Sequence, residues 1–194
     1  MKARTFVIGT TASPRAKLQP LPHAAVHPGG FLGVRQRVNR QESIPYAFDR
    51  IVESGVLENL RLAASVKRGG SANTFKGALF STDSDLYKWV EAASYALAAV
   101  DDPALGHTLD TASDLIARAQ QPDGYLNTYY SIKEPGKRWT NLRECHELYC
   151  AGHLIEAAVA CSEETGKGAL LGVARRLADH VDATFGPGGG KRRG

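Results

Sequence analysis

The feature that most constrains this chain is a repeat. Four helical patterns follow Asp83, and the second pair repeats the first at an offset of 65 residues without a gap. Trp89-Val90-Glu91-Ala92-Ala93 aligns with Leu154-Ile155-Glu156-Ala157-Ala158, and Leu105 aligns with Leu170. Asp114-Leu115-Ile116 aligns with Asp179-His180-Val181, and Gly124 with Gly189. Repeated helical hairpins bury one face on the next, so they build a solenoid or a closed ring. The expected helices span 84–100, 103–120, 142–165 and 168–185, with no strand among them. The chain is therefore expected to be all-α.

Punctuation along the chain agrees with this reading. Asp83 and Ser84 can cap the first helix, and Pro103 suits the first position of the second. Gln121-Pro122-Asp123-Gly124 is a strong turn, and Tyr125–Gly136 reads as an irregular, aromatic-rich loop. Upstream, residues 1–28 read as extended or disordered, because Pro14, Pro20, Pro22 and Pro28 deny them a helix. Phe31–Arg40 is ambiguous. Ser43-Ile44-Pro45 opens a helix with Ser43 as its cap, Gly55 ends it, and Val56–Ala64 is a second short helical stretch. Lys67–Thr74 is a loop by composition. Residues 29–194 are expected to form the first, incomplete part of a larger helical domain.

With 194 residues, 43% of them hydrophobic, the chain can bury a real core. Three cysteines without paired spacing argue against a disulfide framework and for a cytoplasmic location. No apolar run is long enough to cross a membrane, so no membrane partner is expected. The net charge of +4 divides into +8 over residues 1–82 and −4 over residues 83–194. The basic residues are scattered and no aromatic-interleaved stripe accompanies them. A solvated surface explains them better than nucleic acid does.

Candidate chemistry concentrates between Arg138 and Ala160. On one helix, His146, Tyr149, Cys150, His153, Ala157 and Ala160 would share a face. Leu148, Gly152, Ile155 and Val159 would fall opposite, so an enclosed helix is expected. Its two imidazoles would be either hydrogen-bonded in a core or turned to a cavity. His146-Glu147 with Cys150 nearly matches the H-E-x-x-H zinc helix. His146 and His153 would however lie about 10 Å apart along the axis, too far for one ion. Carbohydrate suits the composition better. Asp123, Tyr125, Tyr129, Trp139 and Tyr149 offer apolar platforms and polar groups beside His146, the combination sugars require. Ordinary hairpin packing would also account for these tyrosines. Asp83, Asp85, Glu91, Glu144, Glu147 and Glu156 are all candidate acids, and each suits a helix cap or an exposed face.

Phe80–Trp89 (FSTDSDLYKW), Ala117–Thr128 (ARAQQPDGYLNT), Arg138-Trp139 and His146–Ala160 (HELYCAGHLIEAAVA) resemble glycoside hydrolase family 127, the β-L-arabinofuranosidase family. The resemblance extends from about Phe31 to Gly194. It implies roughly the first third of an (α/α)6 toroid, truncated, with β-sandwich domains following. It further implies a retaining enzyme with a cysteine thiolate nucleophile, a glutamate acid/base, and a zinc ion that lowers the thiol pKa. None of those catalytic groups or zinc ligands matches a position here, so no catalytic or metal residue is assigned in this chain. His146 is the one carried-over residue, as a contact to the arabinose. Asp123, Tyr125, Tyr129, Trp139 and Tyr149 remain candidate cleft-lining residues.

The function implied is the N-terminal part of a glycosidase acting on plant-derived arabinofuranosides, with a carbohydrate as its partner. The chain alone is expected to be inactive. A non-catalytic helical-repeat binding module is the alternative from a different class.

Overall fold

The computed structural model describes residues 21–69, 74–77 and 79–187. They form α1 (Gly30–Val38), α2 (Ile44–Ser54), α3 (Val56–Lys67), α4 (Asp83–Ala99), α5 (Pro103–Ala119), α6 (Thr128–Ile132), α7 (Leu142–Cys145), α8 (Glu147–Thr165) and α9 (Ala169–Phe185). The described residues contain no strand. Three hairpins, α2/α3, α4/α5 and α8/α9, stand side by side in two layers. In one layer α2 packs on α4 and α4 on α8; in the other α3 packs on α5 and α5 on α9. This is an arc of an (α/α) toroid.

Each hairpin turns for a local reason. Gly55 takes φ 85° between α2 and α3, and Gly166 takes φ 74° after α8. Both lie in the left-handed region, where glycine alone carries no Cβ penalty. Between α4 and α5, Asp102 Oδ1 accepts the Leu105 N–H at 3.1 Å, and Pro103 fills the first helical position. The sequence repeat is a structural one. The ends of α8 and α9 fall within one residue of the ends of α4 and α5 shifted by 65. Buried positions repeat as well: Leu86 with Ala151, Trp89 with Leu154, Ala93 with Ala158, and Leu109 with Ala174. The alanines keep the α4 and α8 backbones close, and leucine burial contributes roughly 1.5–3 kcal/mol per side chain.

The Gln121–Gly124 turn is tied down from α9. Gln120 Nε2 donates to the carbonyls of Gly124 and Val173, both at 2.9 Å, and Arg176 Nε donates to Gln120 Oε1 at 2.8 Å. Gly124 has φ 88°, and a side chain there would collide with the Arg176 carbonyl.

Several local expectations are corrected. The helix expected over 142–165 is two helices, α7 and α8, broken at His146, whose φ is 52° and ψ 28°. Ser43 caps nothing. It ends a wide π-helical turn, Asn39–Ser43, that leads without interruption into α2. A wide turn spares Pro45 the i−4 contact that a regular helix would impose. Asp83 and Ser84 do not cap α4; Thr82 holds that position without a side-chain bond. Tyr125–Gly136 is not wholly irregular, since α6 lies within it and a 3-10 turn follows at Pro135–Lys137. Asn127 starts α6 by accepting the Tyr130 N–H at 3.2 Å. Within residues 21–28, His23–Ala25 make one 3-10 turn. Residues 1–20, 70–73, 78 and 188–194 lie outside the described residues, and so does the Gly124–Gly189 alignment.

Candidate functional site

The loop between the two repeated hairpins, residues 123–141, is held by two buried carboxylates. Asp83, the first residue of α4, accepts the Thr128 N–H at 2.7 Å and the Thr128 hydroxyl at 2.6 Å. Glu147, the first residue of α8, accepts the Trp139 N–H at 2.8 Å and the Tyr125 hydroxyl. Each acid is only 2% exposed. Charge on a carboxylate at a helix N-terminus is favoured by the unpaired N–H groups there, which offsets part of the cost of burial. For Asp83, burial still dominates over the Thr128 bonds, and its pKa is raised to about 6.

Around Glu147 the backbone is strained. Trp139 and His146 have φ of 61° and 52°, and they are the two non-glycine residues with positive φ among the described residues. Bulky side chains in that region cost roughly 1–2 kcal/mol each. The Glu147–Trp139 bond offsets that cost at one of them. Such strain collects where a side chain must be aimed.

His146 is the side chain so aimed. It is exposed, and its ring stands between Phe80 at 5.8 Å and Tyr149 at 5.7 Å. Its ring nitrogens have no hydrogen-bond partner among the described residues. Tyr149 is 46% exposed; it meets His153 edge-on at 4.5 Å and accepts a hydrogen bond from Lys88 Nζ at 2.6 Å. Phe80 also meets Tyr129 edge-on at 6.2 Å, which joins the 123–130 loop to the strip. Tyr129, Phe80, His146, Tyr149 and His153 thus form a continuous strip of rings, with Lys88 beside it. His153 Nδ1 lies 3.0 Å from Glu156 Oε2, at ion-pair distance.

The other expected cleft residues belong elsewhere. Tyr125 is fully buried and Trp139 is 8% exposed, so neither presents a platform to a ligand. Their rings pack edge-on at 5.2 Å, and the Trp139 indole N–H donates to His180 Nε2 at 3.1 Å. An indole nitrogen can only donate, so His180 carries its proton on Nδ1 and donates to the Asp123 carbonyl at 2.9 Å. Arg138 Nη1 donates to Asp123 Oδ2 at 3.2 Å, while its guanidinium lies 4.2 Å above the Tyr125 ring. Asp123 is exposed at the rim of this network. Tyr125, Trp139 and Asp123 therefore belong to the support of the loop, and Tyr149 and the half-buried Tyr129 to the strip of rings. Burying the hydroxyl beside Glu147 pushes the Tyr125 pKa well up.

Sequence reasoning passed over Asp83 and Glu147 as caps or surface acids. Thr128 lies 45 residues from Asp83, and Tyr125 and Trp139 lie 22 and 8 residues from Glu147, and no helical or strand period announces any of these pairs. The enclosed-helix expectation also fails among the described residues. Leu148, Ile155 and Val159 are 41%, 38% and 39% exposed, because α4 covers only one side of α8.

Cys150 carries no activated thiol. Cys150 Sγ faces the Ser81 carbonyl at 3.7 Å inside the core, and burial pushes its pKa up to about 12. Cys161 is also buried. His146 and Cys150 diverge, one to the surface and one to the interior, and the described residues contain no group of three donors able to hold a metal. They do not fit a zinc site. No helix of the described residues is long and apolar enough to cross a membrane.

Residues 25–194 match the family model for the β-L-arabinofuranosidase GH127 catalytic domain. The chain belongs to glycoside hydrolase family 127. It is 47% identical over 146 residues to a non-reducing end β-L-arabinofuranosidase of Bifidobacterium longum subsp. longum, an alignment covering 73% of this chain and 21% of that protein. The fold is similar to the crystal structure of a GH127 β-L-arabinofuranosidase from Geobacillus stearothermophilus T6. The TM-score is 0.81 at 46% identity, covering 87% of this chain and 27% of the other. A GH127 β-arabinofuranosidase is similar with a TM-score of 0.80 at 35% identity, covering 90% and 28%. This GH127 chain therefore spans between a fifth and a third of the length of these relatives.

Proposed function

We propose that the protein carrying this chain is a retaining β-L-arabinofuranosidase acting on plant-derived arabinofuranosides, and that these residues form one wall of its sugar site. The observation that carries the reading is His146: an exposed imidazole without a hydrogen-bond partner among the described residues, held in a strained turn by the buried first residue of α8. One ring nitrogen hydrogen-bonds a hydroxyl of the arabinose, and Phe80 and Tyr149 offer their faces to its C–H groups. Glu147 does not touch the sugar. It positions His146 by fixing the start of α8 against Trp139 and Tyr125.

On this reading the attacking cysteine, the acid/base glutamate and the zinc ligands are groups for which no position of this chain is a match. Zinc, where bound, supplies the lowered thiol pKa that makes such a cysteine nucleophilic. Binding groups alone give no covalent step, so the 194-residue chain by itself hydrolyses nothing.

The test is turnover of an aryl β-L-arabinofuranoside by the protein that carries this chain. An unmade hydrogen bond of this kind is worth roughly 1–3 kcal/mol, so His146→Ala lowers kcat/KM by about ten- to a hundredfold. His146→Asn, which tolerates the left-handed turn, keeps the fold and shows the same loss. An unchanged kcat/KM in His146→Asn would return this histidine to a packing role. Turnover by the 194-residue chain alone that disappears in His146→Ala would overturn the assignment of the catalytic groups.

A further inference from the structure

Tyr149 sits in the first turn of α8 with nearly half of its surface open. An exposed tyrosine ordinarily samples several rotamers, and a ring that must face a ligand gives up that freedom on binding. Here much of the freedom is already removed. Lys88 Nζ, on α4, donates to the Tyr149 hydroxyl at 2.6 Å. An ammonium can only donate, so the phenol oxygen is the acceptor. The same nitrogen lies 4.9 Å from the ring centroid. The hydroxyl is much the closer, so the ammonium stands off the hydroxyl end of the ring and leaves its faces uncovered. From its own helix the ring is braced by His153, edge-on at 4.5 Å, and Glu156 lies 3.0 Å from that imidazole.

Both ends of the Lys88–Tyr149 bond are rooted in the core. Tyr87 and Trp89, on either side of Lys88, are buried, and the Trp89 indole N–H donates to the Ile44 carbonyl at 2.9 Å. Cys150, the residue after Tyr149, is buried with its thiol 3.7 Å from the Ser81 carbonyl. The bond therefore crosses the seam where α4 packs on α8, and neither backbone can move away without opening that seam. Lys88 is itself half-buried, which restricts the reach of its stem. Beside the ring so held stands His146, at 5.7 Å between centroids.

We infer that Lys88 is a positioning residue of the sugar site: through the Tyr149 hydroxyl it holds that ring in the orientation that faces the arabinose beside His146. Lys88 touches no substrate itself. The inference rests on the arabinofuranosidase reading above and on the place that reading gives to Tyr149. A ring fixed before binding favours the bound sugar and the transition state alike, so its release is felt in KM and hardly in kcat.

The experiment measures kcat and KM for an aryl β-L-arabinofuranoside in the protein that carries this chain, with Lys88→Met, Tyr149→Phe and the double variant. Either single change removes the same bond and keeps the bulk of the side chain. Each raises KM about three- to tenfold with kcat within about twofold, and the double variant loses no more than the worse of the two. Two residues that served the fold separately would give losses that add. Additive losses, an unchanged KM in both single variants, or a loss carried by kcat alone would overturn the positioning role while leaving the function standing. A wild-type protein that does not turn the glycoside over would sink the arabinofuranosidase reading, and this inference with it.

Discussion

Hairpins α4/α5 and α8/α9 are two copies of one design with different surroundings. Helix α4 lies between α2 and α8, whereas α8 has a neighbour in its layer on one side only among the described residues. The difference shows at aligned positions. Asp83, Val90 and Ser94 are 2%, 0% and 0% exposed, and their counterparts Leu148, Ile155 and Val159 are 41%, 38% and 39% exposed. The positions that face the partner helix are buried in both copies. The repeat thus specifies where each helix begins, ends and bends back. Burial of a given face depends on which neighbour is present.

The helix starts teach a second lesson. Both α4 and α8 begin with a buried acid that accepts a backbone N–H from the intervening loop, Asp83 from Thr128 and Glu147 from Trp139. Only at α8 does the preceding residue take a left-handed conformation and turn an imidazole outward. The same anchoring device supports a plain helix start in one copy and a candidate ligand contact in the other.

The comparison breaks most sharply on core truncations. Leu154→Ala, at a position buried in both copies, should cost about 2–5 kcal/mol in urea unfolding. Ile155→Ala on the open side should cost well under half of that, while Val90→Ala at the aligned, covered position should cost about 2 kcal/mol. Equal costs at 90 and 155 would mean that the open side of α8 is covered in solution.

The anchors come next. Glu147→Ala leaves the Tyr125 hydroxyl and the Trp139 N–H without their carboxylate partner, at about 1–3 kcal/mol each. Its melting temperature should fall, and the His146 ring signals should broaden in NMR as the turn loosens. A sharp, unshifted His146 spectrum would deny Glu147 its positioning role.

For Asp83 the sign of the pH dependence is opposite to that of an exposed ion-paired acid. Its folded pKa is raised from 3.8 to about 6, so the native state holds the proton more tightly than the unfolded chain. The stability it contributes is full below about pH 4 and is lost as pH rises through 6, amounting to about 3 kcal/mol for a shift of this size. Urea midpoints of wild type and Asp83→Asn between pH 4 and 7 should show that fall in the wild type only. Parallel pH profiles would remove the buried carboxylate from the account.

The smallest effect is expected at Lys88. Lys88→Met removes a half-exposed bond to Tyr149 and should change stability by about 1 kcal/mol or less. It should nonetheless alter the Tyr149 ring environment, read by its NMR shifts.

What the sequence determined by itself is everything local in origin. Apolar period, turn residues and the 65-residue offset specify the hairpins, since a helix and its turn are built from neighbours along the chain. The motifs around Phe80, Gly124 and His146 were enough to indicate the family. Tertiary structure alone decided what faces what. Tyr125 and Trp139 look like sugar platforms in sequence, yet they are buried because Glu147 and His180 offer partners for their O–H and N–H groups. Asp83 and Glu147 look like surface acids, yet both are buried and anchor the loop between the hairpins, Asp83 across 45 residues of chain. His146 falls in the phase of a continuous helix, yet the strained turn before Glu147 takes it out of that helix and into solvent. For Tyr125, Trp139, Asp83 and Glu147 the deciding term is the cost of leaving a buried polar group unpaired. Its partner is chosen by packing, which no short stretch of sequence contains.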